Sequence, residues 1–262
     1  MIEEILPSTV SAFDSITTRE GSPDRATVTH ANGPGDGQWP GSRGGLFPEE
    51  EAALRHASKK RRQQFTQTRQ QARAALAALG LPPAAILPAR DRAPTWPPGT
   101  VGSITHCTGY AATALARAED LMGLGIDAEP HRPLPPALLE RITRPEEHPV
   151  LERLRRTEPK LHGGCLLFSA KESVYKAWSP LTGLPLGFQD VVVTLTRATG
   201  KRAGTFTACL PQGGPVGRFA GRWLIRNGLV VTTVTVGTST SFEELSTHTS
   251  QAGDIGYEKR EA

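Results

Sequence analysis

Two acidic residues, Asp127 and Glu129, lie two positions apart in the apolar stretch at 121–130. Side chains alternate along a strand, so this spacing places both carboxylates on one face of a predicted β-strand. A third carboxylate, Glu172, lies in the segment 166–178, whose apolar residues recur with the period of an amphipathic helix. Three hard oxygen ligands suit Mg²⁺, which prefers carboxylates and often bridges substrate phosphates. Zinc is less favoured, because the sequence has no Cys or His cluster at metal-binding spacing.

Positive charge accompanies these acidic segments. Lys176 follows Glu172 by four residues and shares a helix face with it, and Lys171 lies beside them. His106 occupies a predicted strand, and arginines border the apolar stripe of a predicted helix at 59–79. A metal held by several carboxylates and surrounded by cations indicates a diphosphate substrate and phosphoryl- or phosphodiester-type transfer. Taken singly, each feature also fits a solvated surface, since a Glu–Lys pair on one helix face is common.

Helices and hairpins follow one another twice, once before residue 126 and once after it, which indicates an α+β fold with two similar lobes. We predict an N-terminal lobe at 1–126 and a C-terminal lobe at 127–240. The Gly-, Pro- and Ser-rich segment 17–45 shows no periodicity and is predicted to be a flexible insertion. The polar residues 241–262 are predicted to form a disordered tail.

The composition argues against several classes of protein. The 262 residues carry a net charge of +4, which suits an anionic small molecule or an acidic protein partner and does not require nucleic acid. The three cysteines lie far apart, which argues against a disulfide framework. Neither a signal peptide nor an apolar run of about 18 residues is evident. We therefore expect a cytoplasmic monomer with no membrane or nucleic-acid partner.

Several motifs occur in a characteristic order. They are KKRRQQFTQTRQQARAAL at 59–76, WPPG at 96–99, GSITHCTGYAATALA at 102–116, GIDAEP at 125–130 and FSAKESVYKAW at 168–178. Together they resemble the arginine-bearing helix, tryptophan–proline turn, histidine motif and paired acidic signature of the 4′-phosphopantetheinyl transferase superfamily. The order and spacing are similar to those of its single-chain type, which activates surfactin, enterobactin and polyketide synthetases.

The resemblance implies a pseudo-dimer of two α+β lobes that bind coenzyme A in the cleft between them. It implies that a serine of an apo acyl or peptidyl carrier protein attacks the β-phosphate, so that the 4′-phosphopantetheine arm is transferred and 3′,5′-ADP leaves. By position, it makes Asp127, Glu129 and Glu172 the ligands of Mg²⁺, or of Mn²⁺. It makes Glu172 the general base, with Lys176 and Asp127 as further catalytic residues. The implied coenzyme-binding residues are Arg61, Arg69, Thr105, His106, Lys171 and Lys176.

Two positions depart from the family's pattern. Gln64 stands where relatives often carry glutamate, and the loop at 88–95 aligns loosely, with Arg90 as a candidate for contact with the adenine. The basic run at 153–160 is a candidate for carrier docking, although a solvated helix is the simpler interpretation. Two rival functions stay open: an Mg²⁺-dependent phosphoesterase that hydrolyses a nucleotide diphosphate, and a non-catalytic module that binds coenzyme A or a carrier protein.

Overall fold

The computed structural model describes residues 1–16, 45–89, 92–198 and 202–238. The helices are α1 (Pro48–Ala53), α2 (Lys59–Ala78), α3 (Pro136–Ile142), α4 (His148–Thr157) and α5 (Gly163–Thr182). The strands are β1 (Ser11–Ile16), β2 (Thr100–Cys107), β3 (Tyr110–Arg117), β4 (Leu121–Pro130), β5 (Val192–Arg197), β6 (Ala203–Cys209), β7 (Arg218–Arg226) and β8 (Leu229–Gly237). Short 3₁₀ helices lie at Ile2–Ile5, Pro145–Glu147 and Phe188–Asp190.

The N-terminal lobe is a three-stranded antiparallel sheet in the order β1–β3–β2, with α2 packed against it. The Ser58 hydroxyl caps α2 by accepting the Arg61 amide N–H at 3.3 Å. The helix ends just before Gly80, whose φ of 72° is a conformation that glycine adopts without strain. Phe65 and Leu76 are buried, as their spacing along the predicted helix requires.

The C-terminal lobe is a five-stranded antiparallel sheet in the order β4–β8–β7–β6–β5, with α5 packed against it. Leu167, Val174 and Trp178 are buried, which confirms the predicted apolar stripe of α5. The helical spacing also predicts that Tyr175 widens this stripe, and that prediction is wrong, because the residue is 39% exposed. An Asn-Gly pair between two alternating apolar runs predicts a hairpin turn, and Asn227–Gly228 indeed joins β7 to β8 with positive φ at both residues.

Both lobes follow a similar chain path, in which a strand precedes a 20-residue helix and further antiparallel strands. In each lobe the first strand pairs with the last one, β1 with β3 and β4 with β8. The structure therefore confirms an α+β fold with two similar lobes. The predicted boundary after residue 126 falls inside β4, which pairs with β8 on both sides of that point. Strand pairing thus favours a division of the chain before Leu121.

Two side-chain hydroxyls of β2 connect the lobes. Ser103 Oγ accepts the Ile126 amide N–H at 3.0 Å, and Thr105 Oγ1 accepts the Ala128 amide N–H at 3.1 Å. β2 and β4 therefore lie side by side although they belong to different sheets. This junction places the end of β2 beside Asp127.

Helix α5 lies directly on β4 at Gly125. A Cβ atom at this position would lie 1.9 Å from the Ser173 carbonyl oxygen and 2.8 Å from the Ala177 amide nitrogen. Only glycine permits this approach of helix backbone to strand backbone. Because Glu172 immediately precedes Ser173, the contact also brings the polar edge of α5 towards Asp127.

Some predictions concern parts of the chain that the structure does not describe. The predicted insertion at 17–45, apart from Gly45, and the predicted tail at 241–262 lie outside the described residues, as does Arg90. Within the described parts of the chain, no helix combines the length and the apolar character that crossing a membrane requires.

Candidate active site

The carboxylate of Asp127 is the buried centre of the candidate site, with the residue only 4% exposed. Its Oδ1 atom accepts hydrogen bonds from the Lys176 ammonium at 2.7 Å and from the Thr105 hydroxyl at 3.3 Å. Its Oδ2 atom is buried and has no hydrogen-bond partner among the described residues. A buried carboxylate oxygen without a donor is unfavourable, so the chemistry of this atom fits a cation ligand.

The other two predicted metal ligands interact electrostatically with Asp127. Burial raises the pKa of Glu129 to about 7, and repulsion by Asp127 adds to the rise while Lys176 opposes it. Burial also raises the pKa of Glu172, again with repulsion by Asp127 and opposition by Lys176. Partly buried carboxylates that repel one another favour a bound cation, because the cation offsets both desolvation and repulsion.

The three carboxylates do not form a ready-made metal centre in this conformation. Among the described residues, no three His, Cys, Asp or Glu side chains are grouped closely enough to hold an ion. The Lys176 ammonium instead supplies positive charge at Asp127. The residues present fit Mg²⁺ through their hard oxygen donors and through the partnerless Oδ2 atom. All three carboxylates could hold one ion only after a rearrangement of these side chains.

Positive groups of the N-terminal lobe lie at the end of β2. Arg61 Nη1 of α2 lies 3.3 Å from His106 Nε2 of β2, so the structure brings together two residues that the resemblance assigns to coenzyme binding. Burial lowers the pKa of His106, and the charges of Arg61 and Lys176 lower it further. A guanidinium beside an imidazole provides several N–H donors for phosphate oxygens.

Arg69, eight residues after Arg61 on α2, is buried rather than exposed to a cleft. Its Nε–H donates to the Ile86 carbonyl oxygen at 2.7 Å, and its guanidinium lies 3.9 Å from the Phe65 ring centroid. Burial lowers the pKa of Arg69 to about 10. The negative charge of Glu50 opposes this decrease, and the positive charge of Arg61 adds to it. Contact between Arg69 and a coenzyme phosphate stays a prediction.

Two cavities open beside the acidic cluster. One, of about 710 Å³, is lined in part by Glu129, Arg132 and Phe168. The other, of about 320 Å³, is lined in part by Glu172 and Tyr175. Both have the dimensions of small-molecule sites. A further cavity of about 600 Å³ lies between α3, α4 and the start of α5, and its lining includes none of the predicted site residues.

Comparison with known proteins gives two family matches. The 4′-phosphopantetheinyl transferase N-terminal domain matches residues 49–116, and the 4′-phosphopantetheinyl transferase superfamily matches residues 123–215. The 4′-phosphopantetheinyl transferase Svp of Streptomyces mobaraensis is 51% identical over 197 residues, which cover 73% of this chain and 78% of Svp. The chain belongs to the 4′-phosphopantetheinyl transferase superfamily.

Two further relatives of this transferase carry the same activity in their names. The 4′-phosphopantetheinyl transferase Npt of Nocardia iowensis is 43% identical, with coverage of 71% of this chain and 87% of Npt. The 4′-phosphopantetheinyl transferase PptT of Mycobacterium tuberculosis is 40% identical, with coverage of 72% of this chain and 85% of PptT. The protein is therefore an enzyme, and the interpretation as a non-catalytic module is not supported.

The structure corrects the coenzyme-binding role predicted for Lys171 of the transferase. The residue is 2% exposed, and its ammonium donates to the carboxylate of Glu147 at 2.8 Å and to the carbonyl oxygens of Ile142 and Phe188 at 2.7 and 2.9 Å. These contacts occupy its three protons, so Lys171 is part of the protein interior. Sequence reasoning missed Glu147, although the Pro-Glu-Glu run at 145–147 is a signal for a helix start.

The side chain of Thr105 also differs from its predicted role. Its hydroxyl donates to Asp127 Oδ1 at 3.3 Å and accepts the Ala128 amide N–H at 3.1 Å. The residue is buried, so this hydroxyl orients the Asp127 carboxylate across the junction of the lobes and is not available to a coenzyme phosphate. His106, the next residue on β2, lies beside Arg61, and its contact with a coenzyme phosphate stays a prediction.

Proposed function

We propose that this transferase moves the 4′-phosphopantetheine arm of coenzyme A to a serine hydroxyl of an apo acyl or peptidyl carrier protein, with release of 3′,5′-ADP. The observation that carries the proposal is the buried, partnerless Oδ2 atom of Asp127, beside Lys176 and within the electrostatic range of Glu129 and Glu172. Such a site suits an ion that neutralises a diphosphate. The names of the relatives support the same reaction.

Asp127, Glu129 and Glu172 would hold Mg²⁺, or Mn²⁺ in its place. When bound, such an ion polarises the phosphoryl oxygens and offsets the charge that develops on them. The residues of the N-terminal lobe would bind the coenzyme itself. Arg61 and His106 supply donors for its phosphates, and the basic end of α2 suits the 3′-phosphate.

In the proposed reaction the serine oxygen forms a bond to the β-phosphorus, and the bond from that phosphorus to the bridging oxygen breaks. The bridging oxygen leaves with 3′,5′-ADP. The serine proton passes to Glu172, whose pKa is raised by burial and by Asp127, so that this carboxylate accepts a proton more readily than a solvated one. Lys176, whose ammonium lies 2.7 Å from Asp127, would stabilise negative charge on the transferred group.

The carrier protein is the proposed macromolecular partner, and a monomeric, cytoplasmic transferase would meet it in solution. The basic run at 153–160 provides little support for a docking role. Its Arg155 is exposed and pairs with Glu152 on the same helix at 2.8 Å, and Arg197 pairs with Glu158. These contacts are those of a solvated helix face.

The test is transfer to a panel of apo carrier proteins in the presence of coenzyme A and Mg²⁺. Intact-mass spectrometry should show one added phosphopantetheine on at least one carrier, and chromatography should show an equal amount of 3′,5′-ADP. Glu172→Gln should bind coenzyme A, measured by calorimetry, yet lose transfer, because an amide is a poor base and a weaker metal ligand. Transfer at the normal rate by this variant would remove Glu172 from its proposed role.

The same assay separates transfer from hydrolysis. A phosphoesterase would use the same carboxylates with water as the nucleophile. It would release 3′,5′-ADP from coenzyme A without any gain of mass on any carrier. That outcome would overturn the transfer reaction proposed here.

A further inference from the structure

A buried ion pair joins α5 to distant parts of the C-terminal lobe. Glu147 is completely buried and the Lys171 side chain is 1% exposed, with 2.8 Å between Oε2 and Nζ. The remaining polar atoms of the pair are satisfied by backbone groups. These are the Ile142 and Phe188 carbonyl oxygens on Lys171, and the Arg144 and Val193 amides on Glu147 at 2.8 and 2.7 Å.

A second buried ion pair has the same design in the N-terminal lobe. Glu50 is completely buried, and its Oε2 lies 3.0 Å from Nη1 of Arg73 on α2. The Glu50 carboxylate also accepts the amide N–H groups of Phe47 at 3.0 Å and of Ile86 at 2.9 Å. Arg73 donates in addition to the Gly45 carbonyl oxygen at 2.7 Å.

The two pairs occupy corresponding places in the two lobes. Each glutamate is the second residue after a proline, in the Pro-Glu-Glu sequences at 48–50 and at 145–147. Each accepts the amide N–H of the residue before that proline. Each pairs with a cation on the 20-residue helix of its lobe. Each also accepts an amide N–H from the segment that follows that helix, from Ile86 or Val193. We call Glu50–Arg73 the N-terminal latch and Glu147–Lys171 the C-terminal latch.

The C-terminal latch acts next to the proposed general base. Lys171 immediately precedes Glu172, and it ties α5 to the carbonyl oxygen of Phe188. Phe188 lines the same cavity as Glu172. The latch therefore fixes both the helix that carries Glu172 and a second part of the cavity lining, at Phe188.

The N-terminal latch acts instead on the arginines of α2. Glu50 accepts the Ile86 amide N–H, and the Ile86 carbonyl oxygen accepts the Nε–H of Arg69 at 2.7 Å. Arg73 lies one helical turn after Arg69. The orientation of the Arg69 guanidinium thus depends on Glu50 through a single residue, Ile86.

Buried ion pairs are a weak source of stability, because desolvation offsets much of their attraction, and apolar replacements are often as stable. Their value here is geometric. We propose that the two latches have separate tasks: the N-terminal latch positions α2 for coenzyme binding, and the C-terminal latch positions Glu172 for the chemical step. This inference rests on the proposed function. The four latch residues act as positioning residues, because their charged groups are buried and paired with one another.

Exchanging the two cations tests this division. Lys171→Arg and Arg73→Lys each keep the buried positive charge, and each changes the donor geometry of one latch. We expect Lys171→Arg to lower kcat by about 10-fold or more with KM for coenzyme A within about twofold. We expect Arg73→Lys to raise KM for coenzyme A by about 10-fold with kcat within about twofold. Lys171→Met should lower kcat further, and Arg73→Met should raise KM for coenzyme A further.

A purely structural role predicts a different result. It would lower the melting temperature and the folded fraction, while kcat and KM per folded molecule would be unchanged or would change alike in both latches. Either outcome would overturn the inference. If the methionine variants do not fold, the kinetics of Lys171→Arg and Arg73→Lys test the inference without them.

Coenzyme A affinity, measured by calorimetry without a carrier, separates this inference from the proposed function. Weaker coenzyme A binding by Arg73→Lys, with unchanged binding by Lys171→Arg, supports the separate tasks of the two latches. This holds even if the wild type transfers nothing, and in that case only the proposed transfer reaction is refuted. Equal affinities for both variants would overturn the latches even if the wild type is an active transferase. A wild type that does not bind coenzyme A would refute both.

Discussion

The contact between Gly125 and α5 offers a direct test of how the fold assembles the site. In Gly125→Ala, the new methyl group would meet the Ser173 carbonyl oxygen at 1.9 Å and the Ala177 amide nitrogen at 2.8 Å. Both are backbone atoms of a helix and cannot rotate away. An ordinary contact needs about 3.4 Å, so α5 would have to move from β4 by about 1.5 Å.

A movement of this size has two consequences. The free energy of unfolding should fall by about 1–3 kcal/mol, the usual cost of overpacking a core. The 2.7 Å contact between Lys176 and Asp127 should lengthen beyond hydrogen-bonding distance, and Glu172 should move with it. Because a misplacement of about 1 Å can cost about 100-fold in rate, we expect kcat to fall by about two orders of magnitude.

Gly123→Ala provides the matched control on the same face of β4. Its methyl group would lie 3.4 Å from the Ala177 carbonyl oxygen and from Val236, an ordinary contact. This variant should therefore be close to the wild type in thermal unfolding and in transfer kinetics. A Gly125→Ala enzyme with normal stability and turnover, or equal losses in both variants, would refute the geometric argument.

Three shorter predictions concern single charges. Arg61→Ala should raise KM for coenzyme A by about 10-fold but change KM for dephospho-coenzyme A less, because one charge-assisted phosphate contact is lost; equal rises would exclude Arg61 from the 3′-phosphate site. Lys176→Met should lower kcat more than coenzyme A affinity, and unchanged kcat would remove Lys176 from catalysis. The pKa of Glu129 is raised to about 7, so the metal-free protein should lose stability as the pH rises from 4.5 to 7. Protons compete with metal below pH 7, so Mg²⁺ should raise the melting temperature more at pH 8 than at pH 6; a larger rise at pH 6 would contradict this.

Local rules of chain geometry explain what could be predicted from the sequence. Strand alternation placed Asp127 and Glu129 on one face, and helical periodicity identified the buried side of α5. Gly80 and Asn227–Gly228 marked the end of a helix and a hairpin turn, because the conformations that they favour are properties of a few neighbouring residues. These features need no knowledge of distant parts of the chain.

Only the tertiary structure reveals the partners of the Lys171 and Thr105 side chains and the exposure of Tyr175. Helical spacing shows that Lys171 lies beside Glu172. It does not show that the carboxylate of Glu147, which belongs to another segment, forms an ion pair with Lys171. Likewise, the Thr105 hydroxyl is occupied only because β2 lies beside β4, a strand of the other sheet.

The sequence by itself therefore determined the family and the α+β class, and it predicted the acidic residues of the candidate site, since motif spacing and periodicity are short-range properties. The tertiary structure decided which polar side chains are exposed and which are held in the interior. The physical reason is that burial and hydrogen bonding depend on partners brought together from distant positions, such as the Glu147 carboxylate at Lys171 and the α5 backbone at Gly125.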